Sequence, residues 1–399
     1  MSTPSFHWHL FTQCTKAAVV LLLSTTITST TQAQAIGRTP QAPGKLLHTH
    51  QAPQVQTLAQ DLSYPWAMAF LPAPHDGVLI TERTGTLRVW RTQSGLSEPI
   101  AGVPDVFARG QGGLLDVALS PDFVRDRRVY LSYAVLGADG RAGTAVGFGR
   151  LSDDARRLED FTVILRQMPQ LSTGHHFGSR LVFDRAGMLF ITLGENNQRP
   201  SAQDLDKLQG KVVRLHPDGR VPQDNPFVAH AGARPEIWSY GHRNPQGAAL
   251  HPGSGKLWTH EHGPRGGDEV NILTAGANYG WPLATYGRNY SGFAIPEAQG
   301  SNVPGSQAPV YYWEQSPAIS GMAFYDAQRF AQWRESLFIG ALAGKAIIRL
   351  QLDGNRIVGE EWLLRDLGAR IRDLRVGPDG YLYALTDASR GRLLKIGLP

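Results

Sequence analysis

"VGPDGYLYALTD" (residues 376–387) runs from an apolar residue through a Pro-Asp-Gly turn into an alternating strand, and it is one of six such units. The same order returns in "FLPAPHDGVLITE" (70–82), "LSPDFVRDRRVYLSY" (119–133) and "VFDRAGMLFITLG" (182–194). It appears again in "LHPGSGKLWTHE" (250–261) and "FYDAQRFAQWRESLFIG" (324–340). In each, a Pro or Asp preset for a turn separates two short strands, which is a hairpin. Successive units lie about 50 to 75 residues apart, which leaves room for two further strands in each. "GTLRVW" (85–90), "GKVVRL" (210–215), "AIIRLQLDG" (346–354) and "GRLLKIG" (391–397) read as such strands. Six units of four antiparallel strands predict an all-β fold, a six-bladed β-propeller. A two-sheet sandwich is the competing arrangement, and six similar hairpins fit it less well. Closing the ring would set the first strand beside the last and bury both edges. The uneven spacing predicts long loops between strands. Only "SAQDLDKLQG" (201–210) and "AQRFAQWRES" (327–336) read as briefly helical.

The chain has 399 residues, 42% hydrophobic and 18% charged, enough to bury a large core. Its 44 glycines and 26 prolines favour turns over long helices. The formal charge of +5 comes without a Lys/Arg-rich run, so no nucleic-acid partner is expected. Near the start, "KAAVVLLLSTTITSTTQAQA" (16–35) carries one lysine, an apolar run over Ala17–Leu23 and an Ala33-Gln34-Ala35 ending. This is the pattern of a cleaved secretory leader over residues 1–35. The apolar run is too short to span a bilayer, so no membrane span is expected. A Pro/Gln-rich lead-in over 36–56 and a single catalytic domain over 57–399 would follow, in a periplasmic or secreted protein. The one cysteine, Cys14, falls inside the leader.

Loops from every blade meet around one end of a propeller's channel, so polar residues from distant stretches are the candidates for function. In "LSTGHHFGSRLVFD" (171–184), His175 and His176 sit between glycines ahead of a strand. His176 reads as a general base near neutral pH, or as a strand-end residue bonded to backbone. "SYGHRNPQG" (239–247) holds Arg243 and Asn244, whose donors and acceptors suit a planar ligand with carbonyls or carboxylates, or pin the loop. Gln111 lies in a glycine-flanked turn. Arg370 and Arg372 share one face if the chain there is extended, and two guanidiniums on one face repel unless an anion lies between them. "HEHGPRGGDEVNILTAGANYGWP" (260–282) offers His260 and His262 two residues apart, too few ligands for zinc in a chain without another cysteine. The Gly263–Pro264 turn can aim carbonyl oxygens at a hard cation, with Asp268 and Glu269 close behind, which suits calcium better.

Taken in order, "GQGGLLDVALSPDF" (110–123), "GHHFGSR" (174–180), "LGENNQRP" (193–200), "GHRNPQG" (241–247), "HEHGPRGGDE" (260–269) and "NYGWP" (278–282) resemble a known family. They are similar to the soluble pyrroloquinoline quinone (PQQ)-dependent sugar dehydrogenases, most of all the aldose sugar dehydrogenase branch. The resemblance covers about residues 55–398 and implies a six-bladed propeller. It implies that His176 takes the proton of the sugar's anomeric hydroxyl while hydride passes to the quinone, giving a lactone. It further implies Gln111 beside cofactor and substrate, Arg243 and Asn244 on the quinone oxygens, and Arg370 and Arg372 on the PQQ carboxylates. The carbonyls of Gly263 and Pro264 would hold the calcium that bridges to PQQ. Glu269 and the carbonyl of Tyr279 would hold a second, structural calcium.

There are two departures. The glucose branch has an acidic residue where His175 stands, and the aldose branch has a lysine where Ala343 stands, with Lys345 two residues on. Gln198 and Ser316 align loosely with further positions. The chain lacks the long insertions of the dimeric glucose branch, which implies a monomer, and the resemblance implies a small-molecule aldose substrate and an external electron acceptor. A calcium-dependent lactonase on the same fold and a non-catalytic binding propeller are the alternatives. The first would need side-chain calcium ligands from several blades. The second leaves the ordered His, Arg and Asn residues without a role.

Overall fold

The computed structural model describes residues 37–38, 46–47 and 51–399. The leader assigned to residues 1–35, with Cys14, lies outside the described residues, as does most of the lead-in ahead of residue 51. The described chain folds into six antiparallel sheets, five of four strands and one of five. Each sheet is one blade. The innermost strands are Pro65–Leu71, Leu114–Leu119, Leu181–Phe183, Pro245–Leu250, Ile319–Tyr325 and Ile371–Val376, in chain order. Neighbours in this series touch, and the last touches the first, so they form a ring around a central channel. Gln54–Leu62 closes the ring by pairing with Gly391–Gly397, the last described strand. The short strand Gly37–Arg38 adds a fifth member to blade four by pairing with Tyr311–Trp313.

The hairpins that recur in the sequence join the first and second strands of each blade. At Asp184, one carboxylate oxygen accepts from the backbone N–H groups of Ala186 and Met188 at 2.9 and 2.8 Å, holding the turn. Asp379 does the same for Tyr381 at 3.2 Å. Inner strands are buried on both faces because each blade is packed between two others, hence near-continuous apolar runs such as Leu189–Leu193 and Ser336–Ala341. Outer strands lose this pattern, and Gln54–Leu62 is mostly exposed.

The core is a set of six slabs between blades rather than one centre. Leu79 and Val89 of blade one meet Leu115 and Leu131 of blade two. Val146 of blade two meets Leu189 and Ile191 of blade three, and Phe190 of blade three meets Leu257 of blade four. Trp258 and Trp313 of blade four pack on Met322 and Leu337 of blade five. Phe338 of blade five then meets Leu382 of blade six, and Leu385 of blade six meets Met68 and Ile80 of blade one. Burial of this kind stabilises by about 25 cal/mol per Å² of apolar surface.

On the axis the blades are joined by charge. Arg180 Nη1 lies 3.0 Å from both Asp116 Oδ1 and Asp373 Oδ1, and Arg375 reaches the same two carboxylates at 3.4 and 3.0 Å. Asp373 also accepts from the Met68 N–H at 3.0 Å, and Asp116 from the Leu181 N–H at 2.8 Å. Arg180 Nε donates to the Gln246 carbonyl at 2.6 Å, and its guanidinium lies 4.3 Å from the Trp66 ring centre. Five of the six inner strands, or the residues leading into them, therefore share one buried network. Burial pushes Asp116 up, with Arg180 and Arg375 opposing.

Of the segments read as briefly helical, 327–336 holds a 3-10 turn at Ala331–Trp333, whereas 201–210 only overlaps the end of one at Arg199–Ala202 and is otherwise not helical. Leu205 and Leu208 lie against the slab between blades two and three, which draws the chain after Ala202 off a helical path. Among the described residues no helix is long and apolar enough to cross a membrane.

Candidate active site

Strands alternate in direction, so the recurrent hairpins all lie at one end of the channel. The segments entering each innermost strand, and the turns after each second strand, lie at the other. His176, Arg243, Asn244, Arg370 and Arg372 are on or at the end of such entries, Gln111 leads into blade two, and Gly263 and Pro264 are in the turn after Leu257–Glu261.

His176 is buried with a left-handed φ of 52°. Its backbone N–H donates to Gln111 Oε1 at 2.8 Å, and its carbonyl accepts from Asn196 Nδ2 at 3.1 Å. A Cβ on Gly194 would strike that carbonyl, so a glycine is required there. Nδ1 of His176 is 2.7 Å from Glu195 Oε2. Burial lowers the imidazole pKa, and the Glu195 carboxylate opposes the shift. The Asn197 N–H also donates to Glu195 Oε2. Asn244 Oδ1 accepts from the Gly178 N–H at 3.1 Å, tying blade four to the histidine's loop. His175 is exposed, its ring 6.2 Å from that of His176.

Arg243 is buried and donates through Nη1 to the carbonyls of His262 and Gly263 at 3.1 and 2.9 Å. Its own carbonyl accepts from the Glu195 N–H at 2.9 Å. The Gly263–Gly267 turn is tight enough that a Cβ on Gly263 would collide with the Gly266 and Gly267 backbone. Asp268 fastens it, accepting from the Gly263 N–H at 3.0 Å, Ser316 Oγ at 2.8 Å and the Ile319 N–H at 3.2 Å. Burial raises the Asp268 pKa to about 6. The two histidines of this stretch part company. His260 is fully buried against the Ser320 carbonyl. Burial holds the pKa of the half-buried His262 well below 6.5, and His260, Arg243, Arg372 and His176 add to the shift.

Arg372 donates to Gln246 Oε1 at 3.1 Å, and burial lowers its pKa to about 10. Arg370 and Arg372 do share a face. Asp387 Oδ2 lies 2.9 Å from one guanidinium and 3.5 Å from the other, so the protein itself places an anion between them. Burial raises the Asp387 carboxyl, but Arg372 and Arg370 outweigh it and hold it below the usual range. Ala343 and Lys345 lie exposed in the turn after Ser336–Ala341, at the same end. Gln198 lines a cavity of about 550 Å³ with Arg109, Thr173, His175 and Asn197.

Glu195 and Asp387 escaped the sequence reading, and a periodic signal marks them. Four blades end the second strand on an acid, or one or two residues after it: Glu82, Glu195, Glu261 and Asp387. Each grips the entry to its own blade's first strand. Glu82 accepts from the Ser63 N–H at 2.5 Å, Glu195 holds His176, and Asp387 holds Arg370 and Arg372. Glu261 holds His242 Nδ1 at 2.9 Å and the Arg243 N–H.

Several buried atoms at the mouth have no partner within the protein: His262 Nε2, Arg372 Nε and Glu195 Oε1. Donors and acceptors left in this way fit a polar, carboxylate-bearing cofactor. Glu269 directly faces Glu261 across the strand pair, and burial followed by Glu261 pushes its carboxyl well above the usual range. Two ionised carboxylates opposed on adjacent strands repel, and either a retained proton or a bound cation relieves them. Tyr279 stacks on His242, with ring centres 4.8 Å apart, so its backbone belongs to the same neighbourhood. Among the described residues, no three His, Cys, Asp or Glu side chains group as a metal centre. A cation here would rely on carbonyl oxygens.

The family model described as glucose/sorbosone dehydrogenase matches residues 62–395, and the chain belongs to that family. It is 62% identical over 342 residues to the aldose sugar dehydrogenase YliI of Escherichia coli (strain K12), covering 86% of this chain and 92% of that protein. The crystal structure of the soluble aldose sugar dehydrogenase (Asd) from Escherichia coli in the apo-form has a TM-score of 0.86 at 60% identity, covering 87% of this chain and 100% of that one. The PQQ-bound form of an aldose sugar dehydrogenase from Streptomyces coelicolor has a TM-score of 0.71 at 27% identity, covering 88% and 100%.

Proposed function

We propose that this protein is a PQQ- and calcium-dependent aldose sugar dehydrogenase, which oxidises the anomeric carbon of an aldose to a lactone. The sugar oxidoreductase class rests on family membership and the aldose sugar dehydrogenase relatives. The observation that carries the mechanism is the His176–Glu195 pair, 2.7 Å apart at the channel mouth.

Glu195 accepts from Nδ1–H and so leaves the Nε2 lone pair free. Nε2 removes the anomeric hydroxyl proton as the C1 hydride departs, so the sugar loses two electrons and two protons in all. The quinone, when bound, supplies the acceptor for that hydride. Gln111 fixes the backbone of His176. Arg243 and Asn244 would face the quinone, where Arg243 would offset negative charge. Arg370 and Arg372 would hold its carboxylates. The Gly263 and Pro264 carbonyls would hold one calcium, and Glu269 with the Tyr279 carbonyl a second. We further propose an exported monomer cleaved after Ala35, with catalytic domain 57–399 and an external electron acceptor.

The test is dye reduction by the mature protein with a panel of aldoses. Bleaching that needs both PQQ and Ca²⁺, and is lost in His176→Ala, supports the reading. Lactone hydrolysis without PQQ would replace it with a hydrolase.

A further inference from the structure

In three blades the acid that closes the second strand lies 19 residues beyond the group it holds: Ser63 and Glu82, His176 and Glu195, His242 and Glu261. In two of these the pair is an imidazole and a carboxylate. His176 Nδ1 lies 2.7 Å from Glu195 Oε2 in blade three, and His242 Nδ1 lies 2.9 Å from Glu261 Oε1 in blade four. One device occurs twice, in neighbouring blades and at the same place in each.

The copies differ in what surrounds the ring. A carboxylate only accepts, so Nδ1 of His242 is the donor and Nε2 carries the lone pair. At His242 that lone pair is taken, because Ser239 Oγ donates to it at 2.9 Å. Tyr279 covers one face of the ring, with centres 4.8 Å apart, and both His242 and Ser239 are wholly buried. Ser239, His242 and Glu261 thus stand in the order of a hydrolase triad, but a nucleophile that no substrate reaches performs no acyl transfer. Nor is the imidazole a second base.

What the closed pair holds is Arg243. Oε2 of Glu261 accepts the Arg243 N–H, while Oε1 also takes Asn271 Nδ2 at 3.4 Å. The Arg243 carbonyl in turn accepts the Glu195 N–H at 2.9 Å. The backbone of Arg243 is clamped between the two histidine–glutamate pairs. Its guanidinium is left to the His262 and Gly263 carbonyls and to the Trp281 ring, whose centre is 5.4 Å away.

We propose that His242 and Glu261 are a positioning pair for Arg243, fixing where that residue stands in the mouth relative to His176. This rests on the dehydrogenase reading, in which Arg243 meets the quinone. Any slip of the Arg243 backbone carries its guanidinium along, and a misplacement of about 1 Å costs up to about 10²-fold in rate. A pair with a role in folding alone would stabilise blade four and leave cofactor binding and turnover untouched.

The experiment compares the wild type with His242→Phe and His242→Asn. The first keeps a flat ring against Tyr279 and loses the donor to Glu261. The second loses the ring and keeps an amide N–H where Nδ1–H stood. Three readouts are taken: PQQ affinity from quenching of tryptophan fluorescence, kcat and KM for glucose, and hydrogen exchange of the apo-protein over residues 239–247. We expect His242→Phe to lower PQQ affinity about tenfold and kcat about 10²-fold, with glucose KM within about twofold. Exchange at the Arg243 amide should quicken. His242→Asn should stay within about threefold of the wild type in affinity and kcat, although its melting temperature falls further. The reverse order, with the ring variant active and the amide variant impaired, would overturn the proposal. So would unchanged values in both, or a loss confined to glucose KM. Should His242→Phe fail to fold, His242→Asn decides alone, and a tenfold loss of PQQ affinity in it sinks the pair. Failure of PQQ-dependent glucose oxidation in the wild type would instead sink the dehydrogenase reading, and exchange at Arg243 would still judge the clamp.

Discussion

Oε2 of Glu195 sits 2.7 Å from Nδ1 of His176, and the Glu195 backbone N–H is simultaneously bound to the Arg243 carbonyl. One residue thereby sets the tautomer of the proposed base and its spacing from the proposed quinone contact. Burial holds the His176 pKa below the ordinary 6.5, while Glu195 pulls it upward. The base must be neutral to act, so activity should fall off on the acid side only below that value. In Glu195→Gln the upward pull is lost and the acid limb should move to still lower pH, with kcat reduced about 10²-fold. A pH profile of kcat/KM reads both changes. A limb that stays in place would separate Glu195 from the base.

Asp387 already compensates Arg370 and Arg372 before any cofactor arrives. Asp387→Asn should lower the melting temperature of the apo-protein, because two guanidiniums are left facing each other. Added PQQ should then raise the melting temperature more than it does in the wild type, since its carboxylates meet uncompensated charge. Scanning fluorimetry with and without PQQ checks this. A smaller PQQ-induced rise would mean that the arginines do not face the cofactor.

For the second calcium, the expected signature is a stability difference. Glu269 faces Glu261 directly across the strand pair, and a bound cation would relieve that opposition. A chelator should lower the wild-type melting temperature, and Glu269→Gln should shrink the effect. Equal sensitivity to the chelator in both proteins would remove Glu269 from the ligand set.

Arg180→Met tests the axial network. Among the described residues it would leave Asp116 and Asp373 with only the half-buried Arg375 as cationic partner, a loss of about 3–5 kcal/mol by analogy with broken buried pairs. Urea denaturation measures it. A loss under about 1 kcal/mol would mean that water or repacking replaces the guanidinium.

The propeller was legible because its turns are chemical. Asp184 and Asp379 bond the backbone just ahead of them, and such local bonds leave a mark on the sequence. His176, Arg243 and Arg372 could be proposed because residue type alone limits what they do. Glu195 and Asp387 could not, because each acts on a residue 19 or 17 positions upstream, through strand pairing that no local pattern encodes. The periodic acid after the second strand becomes visible only once the strands are aligned blade by blade. Likewise, nothing local in 273–310 announced that Arg288 returns beside Arg265, where the two exchange backbone hydrogen bonds.

Gln54–Leu62 leaves the ribosome more than 300 residues ahead of Gly391–Gly397, yet each is the other's neighbour in the sheet. Throughout synthesis five blades can assemble while the sixth waits with a bare edge on either side of the gap. Contacts of such long sequence separation make folding slow and leave strands open to mispairing. Losing even the final seven-residue strand would therefore open the whole circle rather than fray one end, and would leave Leu62 and Leu385 without the neighbour that covers them.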